Sequence, residues 1–354
     1  MTKQVILIFA ASMLLLASPR GEFIFEQAPF ASCHASTIVE TAPGQFMAAW
    51  FGGSAEGNPD VAIWGARRSG AQWSEPVELA RESKTPCWNP VLFTTRDKVL
   101  WLYYKFGSSP SSWTAGRRSS SDGGKTWSQA EHLPAGIIGP VKDKPLVLPS
   151  GLIVSGTSVE SYRSWACWVE RSTDNGRTWT KHGPIIPDRG TIQGAAGDTK
   201  LAQVPGSEFW DQTFGVIQPA IVRVGNKRLL MLMRATGNIG RICYSESNDE
   251  GRTWSQAKPS TLPNPNSGID AVALRDGRIV LIYNHTPKGR TPLNLAVSRD
   301  GETWNNFLAL ETEPGEFSYP AIIQASDDAI HATYTWKRKT IKHVAVPLSE
   351  IPER

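Results

Sequence analysis

Ser120-Ser121-Asp122-Gly123-Gly124-Lys125-Thr126-Trp127 decides the fold, because its pattern returns at Ser172 to Trp179 and again at Ser247 to Trp254. A fourth copy, Ser298-Arg299-Asp300-Gly301-Glu302-Thr303-Trp304, is one residue shorter, and Ser69-Gly70-Ala71-Gln72-Trp73 is a degenerate fifth. Such a stretch predicts a tight hairpin: Asp and Asn cap nearby backbone, Gly supplies positive φ, and the Trp folds back onto the turn. Trp73, Trp127, Trp179, Trp254 and Trp304 are separated by 54, 52, 75 and 50 residues. The period is therefore about 52 with one insertion of about 23, which suits a repeating four-stranded unit.

Between the turns lie short apolar or alternating runs, among them Lys98 to Tyr104, Arg228 to Met233 and Gly277 to Tyr283. They read as strands, and polar turns such as Asp276-Gly277 and Asp327-Asp328 introduce many of them. The expected fold is all-β, a six-bladed β-propeller of four-stranded antiparallel blades. Five turns mark five blades; the segment from Asn305 onward, with a strand after Gly21, supplies the sixth and closes the ring without exposed edges. The insertion falls between Lys181 and Gln212 and is expected to form a long loop over one face.

Lys3, the apolar stretch Val5 to Ala17 and Ser18-Pro19-Arg20 follow the layout of a secretory signal. The expectation is a signal peptide at 1–20, one domain at 21–354, and a secreted or periplasmic protein without stable membrane insertion after cleavage. The apolar stretch is shorter than the ~20 residues of a spanning helix. Cys33, Cys87, Cys167 and Cys243 are widely spaced and make no disulfide framework or zinc spacing. With a net charge of +4 and basic residues dispersed along the chain, nothing tracks a phosphate backbone, so nucleic acid is not an expected partner. No phosphate-binding Gly loop or EF-hand spacing is present, and neither cofactor nor metal is expected.

The repeated turns resemble the Asp-box, or bacterial-neuraminidase, repeats, and over most of its length the chain resembles the sialidase superfamily. The resemblance makes Asp122, Asp174, Asp249 and Asp300 turn residues and directs the search for a site to the inner strands. In that family the inner strands bring three Arg to a substrate carboxylate, an Asp acid/base, and a Tyr nucleophile activated by a Glu. Arg234, ending the run Leu230 to Met233, and Arg290, ahead of the fourth turn, match two of the Arg. A planar guanidinium suits this task because it pairs with both carboxylate oxygens and stays charged.

Tyr319 in Glu316-Phe317-Ser318-Tyr319-Pro320 matches the catalytic Tyr segment. Two positions depart from the pattern: Gln218 stands where the activating Glu is expected, and His34 stands where the first Arg is expected. Gln218 cannot take a proton, and a His is a poorer fixed carboxylate clamp. The Gly-rich loop Gly52 to Asp60 lies where the family places its acid/base, with Glu56 the first candidate and Asp60 the second. Asn89, Lys144, Asp270 and His285 are further candidate substrate contacts.

Three functions fit these residues. The first is a sialidase-like exo-glycosidase releasing a terminal acidic sugar, with Arg234 and Arg290 on the carboxylate, Glu56 protonating the leaving oxygen and Tyr319 attacking the anomeric carbon. The second is a lyase on a uronate-bearing glycan, with His34 or Tyr319 abstracting the proton beside the carboxylate. The third is a glycan-binding propeller without turnover. An acidic glycan or glycoconjugate is the expected partner in all three.

Overall fold

The computed structural model describes residues 20–161, 164–188 and 213–353. Most of the expected insertion between Lys181 and Gln212, and residues 1–19 of the expected signal peptide, lie outside the described residues. Within them the chain is all-β, with antiparallel meanders and a single 3₁₀ turn at Leu348–Glu350. None of their helices is long and apolar enough to cross a membrane.

The first sheet runs Ser32–Ala42, Gln45–Gly53 and Ala62–Ser69, with the short strands Gln72–Trp73 and Val77–Ala80 both pairing the third. The second runs Cys87–Thr94, Leu100–Phe106, Thr114–Ser120 and Glu131–His132. An eight-stranded sheet follows, in which Ser164 and Trp165 pair in parallel with Phe214 and Gly215. That two-residue join separates the meander Leu146–Val147, Ile153–Glu160, Ser164–Ser172, Thr180–Ile185 from the meander Phe214–Val224, Arg228–Ala235, Arg241–Ser247, Lys258–Pro263. Asp270–Ala273, Ile279–Asn284, Leu293–Ser298 and Asn305–Glu311 form the next sheet. The last contains Phe317–Gln324, Ile330–Trp336 and Thr340–Val346, and its outer strand is Arg20–Phe23 from the other end of the chain.

The repeated stretches form the turns that their residues predict. Ser120 Oγ donates to Asp122 Oδ1 at 2.8 Å and accepts from the Gly124 amide at 2.9 Å. Asp122 takes the Lys125 and Thr126 amides at 3.0 and 2.9 Å and the Thr126 hydroxyl at 2.6 Å. Ser172 with Asp174 and Ser247 with Asp249 repeat this set. The turns also set the spacing between sheets. A Cβ on Gly301, whose φ is +77°, would come within 2.5 Å of Leu230 in the preceding sheet, and Gly124 (φ +83°) sits as closely against Met47. Only a residue without a side chain fits there and also adopts that backbone.

Apolar faces between adjacent sheets make the core. Leu92, Leu102 and Tyr104 of the second sheet pack with Ala49, Phe51 and Ile63 of the first. Ile330 and Tyr334 of the last pack with Ile282 and Leu295 of its predecessor. The last sheet also packs on the first: Ile24 and Ile341 meet Ala48 and Trp50, and Ala321 and Ala325 meet Ile38 and Phe46. Cys33, Cys87, Cys167 and Cys243 are buried and unbridged, and burial pushes the Cys87 and Cys243 thiols up to about 12.

Candidate functional site

Two structural devices converge on one cavity of about 280 Å³. The first is a bulge near the start of the leading strand of a sheet. Strand pairing shifts between His34 and Thr37, Trp88 and Val91, Ile217 and Pro219, and Ser318 and Ala321. At each shift a residue with a side chain is held at positive φ: Ala35 at 58°, Asn89 at 36°, Gln218 at 53° and Tyr319 at 50°. Left-handed backbone costs an ordinary residue of order 1–2 kcal/mol, so four repetitions mark a place where side-chain direction is bound to the fold. The second device is the connection between second and third strands, which brings Glu56, Trp113, Glu160, Arg290 and Arg338 to the same mouth.

Tyr319 is at the centre. Its hydroxyl oxygen accepts from Arg234 Nη1 at 2.7 Å and from the Gln218 amide at 3.0 Å. Arg234 Nη1 also reaches Gln218 Oε1 at 3.2 Å, and Arg234 Nε donates to Asn266 Oδ1 at 2.8 Å. The Arg234 and Arg290 guanidinium carbons lie 5.7 and 5.9 Å from the Tyr319 ring centre. Arg290 is poorly satisfied: Nη2 is 3.5 Å from the Asn266 carbonyl, and the buried Nη1 has no partner among the described residues. Burial first, and the Arg234 charge second, lower the Arg290 pKa from its ordinary value. Two guanidinium groups held together in a half-closed cavity with a free N–H favour a bound anion.

His34 lies against Tyr319, with ring centres 4.1 Å apart. Its Nδ1 is 3.0 Å from Thr335 Oγ1, which already accepts the Ala35 amide at 3.1 Å. The Thr335 hydroxyl proton is therefore available for Nδ1, an arrangement that leaves the imidazole proton on Nε2. Burial holds the His34 pKa well below its ordinary value, and Arg338, Arg290, Arg234 and Lys142 push the same way. At neutral pH His34 is an uncharged hydrogen-bond donor.

Arg338 donates through Nε to Glu316 at 3.0 Å and through Nη1 to Glu56. Burial disfavours its charge, but Glu316 and Glu56 outweigh that and raise its pKa. Glu160 ends the second strand of its sheet, its backbone opposite Trp165, and its side chain has no hydrogen bond or ion pair with any described residue. Burial, only partly offset by Arg234, pushes its carboxyl up to about 7. Beneath Tyr319 the buried Lys142 ammonium bonds Asp143 at 2.7 Å and the carbonyls of Ile269 and Pro320, supporting the Tyr319 segment from below.

His34, Glu56, Asn89, Gln218, Arg234, Arg290 and Tyr319 thus share the one cavity. The other four candidates lie apart from its lining. Asp60 closes its own loop, accepting the Ser54 amide at 2.7 Å and hydroxyl at 2.8 Å, and these bonds lower its pKa. Lys144 and Asp270 bond each other at 2.8 and 3.0 Å, and Asp270 also accepts the Ile322 amide at 2.9 Å. His285 bonds the Tyr283 hydroxyl through Nδ1. Lys142, two residues before Lys144, is the lysine that reaches the site's underside. Sequence reading passed over Glu160, Arg338, Asn266, Trp113 and Trp165; their one shared signal is position, near a turn at the site-bearing end of a sheet.

Residues 44–332 match a family model described as a BNR repeat-like domain. Among solved structures, the Hadza microbial sialidase Hz136 has a TM-score of 0.74 at 15% identity, with 94% of this chain and 69% of that one covered. The NanB sialidase of Streptococcus pneumoniae gives 0.71 at 11%, covering 94% and 71%. A Dyadobacter fermentans protein of unknown function gives 0.73 at 15%, covering 93% and 99%. No curated protein sequence matches. At such identities the likeness establishes a shared fold, and the chemistry rests on the residues of this chain.

Proposed function

The chain belongs to the BNR repeat-like domain family, and on that premise we propose that it is a secreted, sialidase-like exo-glycosidase that hydrolyses a terminal acidic sugar from a glycan. In this reading the strand groups are six blades, the repeated turns are Asp-boxes, and Arg20–Phe23 closes the ring against Thr340–Val346. Residues 1–20 serve as the signal peptide, so in the mature chain the closing strand begins at Gly21, which pairs with Val344.

The observation that carries the proposal is the Arg290 Nη1, unpartnered among the described residues, beside Arg234 and Tyr319. A sugar carboxylate would take that N–H and offset the two like charges, each gain being electrostatic. Arg234 and Arg290 hold the carboxylate in this account, His34 donates through Nε2, and Asn89 contacts the ring. Tyr319 faces the anomeric carbon. Trp88, Trp113 and Trp165 supply apolar wall for the sugar faces.

One observation favours a second reading, glycan binding without turnover. The Gln218 amide donates to the Tyr319 hydroxyl and cannot accept its proton. Incubating the protein with sialylated and uronate-bearing glycans, with free acidic sugar read by mass spectrometry and new absorbance near ~235 nm read beside it, separates the cases. Free acidic sugar that is lost with Tyr319→Phe supports the hydrolase. Unsaturated product lost with His34→Ala replaces it with a lyase, and saturable binding without product replaces it with a lectin.

A further inference from the structure

We infer that the carboxyl of Glu160, not that of Glu56, is the proton donor to the leaving oxygen. The inference rests on the hydrolase reading above. Both carboxyls line the cavity, Glu56 from the connection between second and third strands of its sheet and Glu160 as the last residue of a second strand, beside such a connection. Their surroundings divide the roles. Glu56 is bound to the Arg338 guanidinium, which Glu316 holds from the other side at 3.0 Å. The Glu56 carboxylate is thus already engaged by a guanidinium that is itself anchored, and is not free to turn to a leaving oxygen.

Among the described residues the Glu160 carboxyl has no such partner. It sits at the rim of the sheet edge opposite Trp165, whose ring lies 5.8 Å from the Arg234 guanidinium carbon. Its nearest charge influence is Arg234, and burial dominates, so the acid form persists to about pH 7. That is the condition a general acid needs near neutrality, and the same condition a solvated turn carboxylate lacks.

The step balances with water as the co-reactant. As the bond between the anomeric carbon and the leaving oxygen breaks, its electron pair goes to that oxygen, which takes the Glu160 proton and departs as an alcohol. A water then adds its oxygen to the anomeric carbon from the vacated side and returns a proton to the Glu160 carboxylate. Nothing is oxidised or reduced, and the Glu160 carboxyl is restored.

The test compares a natural glycan with a nitrophenyl glycoside of the same sugar, whose leaving group departs without protonation, in the full-length protein. Glu160→Gln keeps the shape and, with no side-chain hydrogen bond to a described residue to lose, is expected to leave the melting temperature at pH 4 unchanged. Its kcat on the glycan should fall about 100-fold or more, with only a few-fold loss on the nitrophenyl substrate. Glu56→Gln should affect the two substrates alike. Equal losses on both substrates with Glu160→Gln, or the selective loss appearing with Glu56→Gln instead, overturns the assignment while the hydrolase stands. A wild-type protein that releases no sugar from either substrate overturns the assignment and the hydrolase together.

Discussion

At the scale of single residues, the site is defined by groups whose bonding is incomplete. Arg290 retains a buried N–H without a partner among the described residues, so its truncation is expected to remove affinity and leave the fold intact. Arg290→Ala is expected to raise KM about 10- to 100-fold, the range of a charged hydrogen bond, and Arg290→Lys to recover only part because an ammonium cannot fork. Steady-state kinetics of the two variants check this. Glu160 sets the pH response. It faces Arg234 and shares the cavity with Glu56, Arg290, Arg338 and His34, and its carboxyl is raised to about 7. Activity that needs its acid form should fall as pH rises through about 7.

The linkage has the same sign. A carboxyl raised by folding favours the native state below its unfolded pKa of about 4.3, an advantage lost as pH rises through about 7. Glu160→Gln should therefore melt with wild type at pH 4 and above it at pH 8. Thermal melts at the two pH values decide, and coincident melts at pH 8 would count against the raised carboxyl.

At the scale of elements, the turns were legible and the far ends of the hairpins were not. Ser, Asp, Gly, Thr and Trp recur in the turns because each position has one local task, so four copies in register declare both the hairpin and its period. Asp249→Ala removes the acceptor for two amides and the Thr253 hydroxyl, and should cost about 1 kcal/mol, comparable to losing a helix cap, as read by denaturant unfolding. Gly301→Ala, set against Leu230 at positive φ, should cost more.

His34, Gln218 and Tyr319 were legible through the resemblance of their segments to those of sialidases, and Asn89 through a comparable strand position; the four meet in one cavity. Glu160 and Arg338 sit in charged connections, Val159-Glu160-Ser161 and Lys337-Arg338-Lys339, that read like any solvated turn. Their importance comes from which end of the sheet the turn occupies, a property of assembly. Lys142-Asp143-Lys144 presents two lysines in an irregular segment, and only packing decides that Lys142 goes under Tyr319 while Lys144 pairs Asp270.

At the scale of the whole molecule, the N-terminal strand ties the last sheet to the first. Glu22 lies 2.9 Å from His343 Nδ1 in the last sheet; in the first it is ion-paired with Arg68 at 3.0 Å and accepts from Trp73 Nε1 at 3.2 Å. Burial works against its charge, but His343, Arg68 and Trp73 outweigh burial and lower its pKa. A lowered carboxylate contributes stability above its unfolded pKa that is lost as pH falls through the folded one. Glu22→Gln should lower the melting temperature at pH 7 and leave it closer to wild type at pH 3.

The wider account stands on the cavity being a seat for a carboxylate sugar. Calorimetric titration of the protein with free sialic and uronic acids, each beside its analogue with the carboxylate reduced to an alcohol, tests that without requiring turnover. The account predicts that at least one acid binds, that its reduced analogue binds at least about tenfold more weakly, and that Arg290→Ala abolishes the difference. Equal affinity of acid and alcohol, or a preference that survives Arg290→Ala, would contradict it.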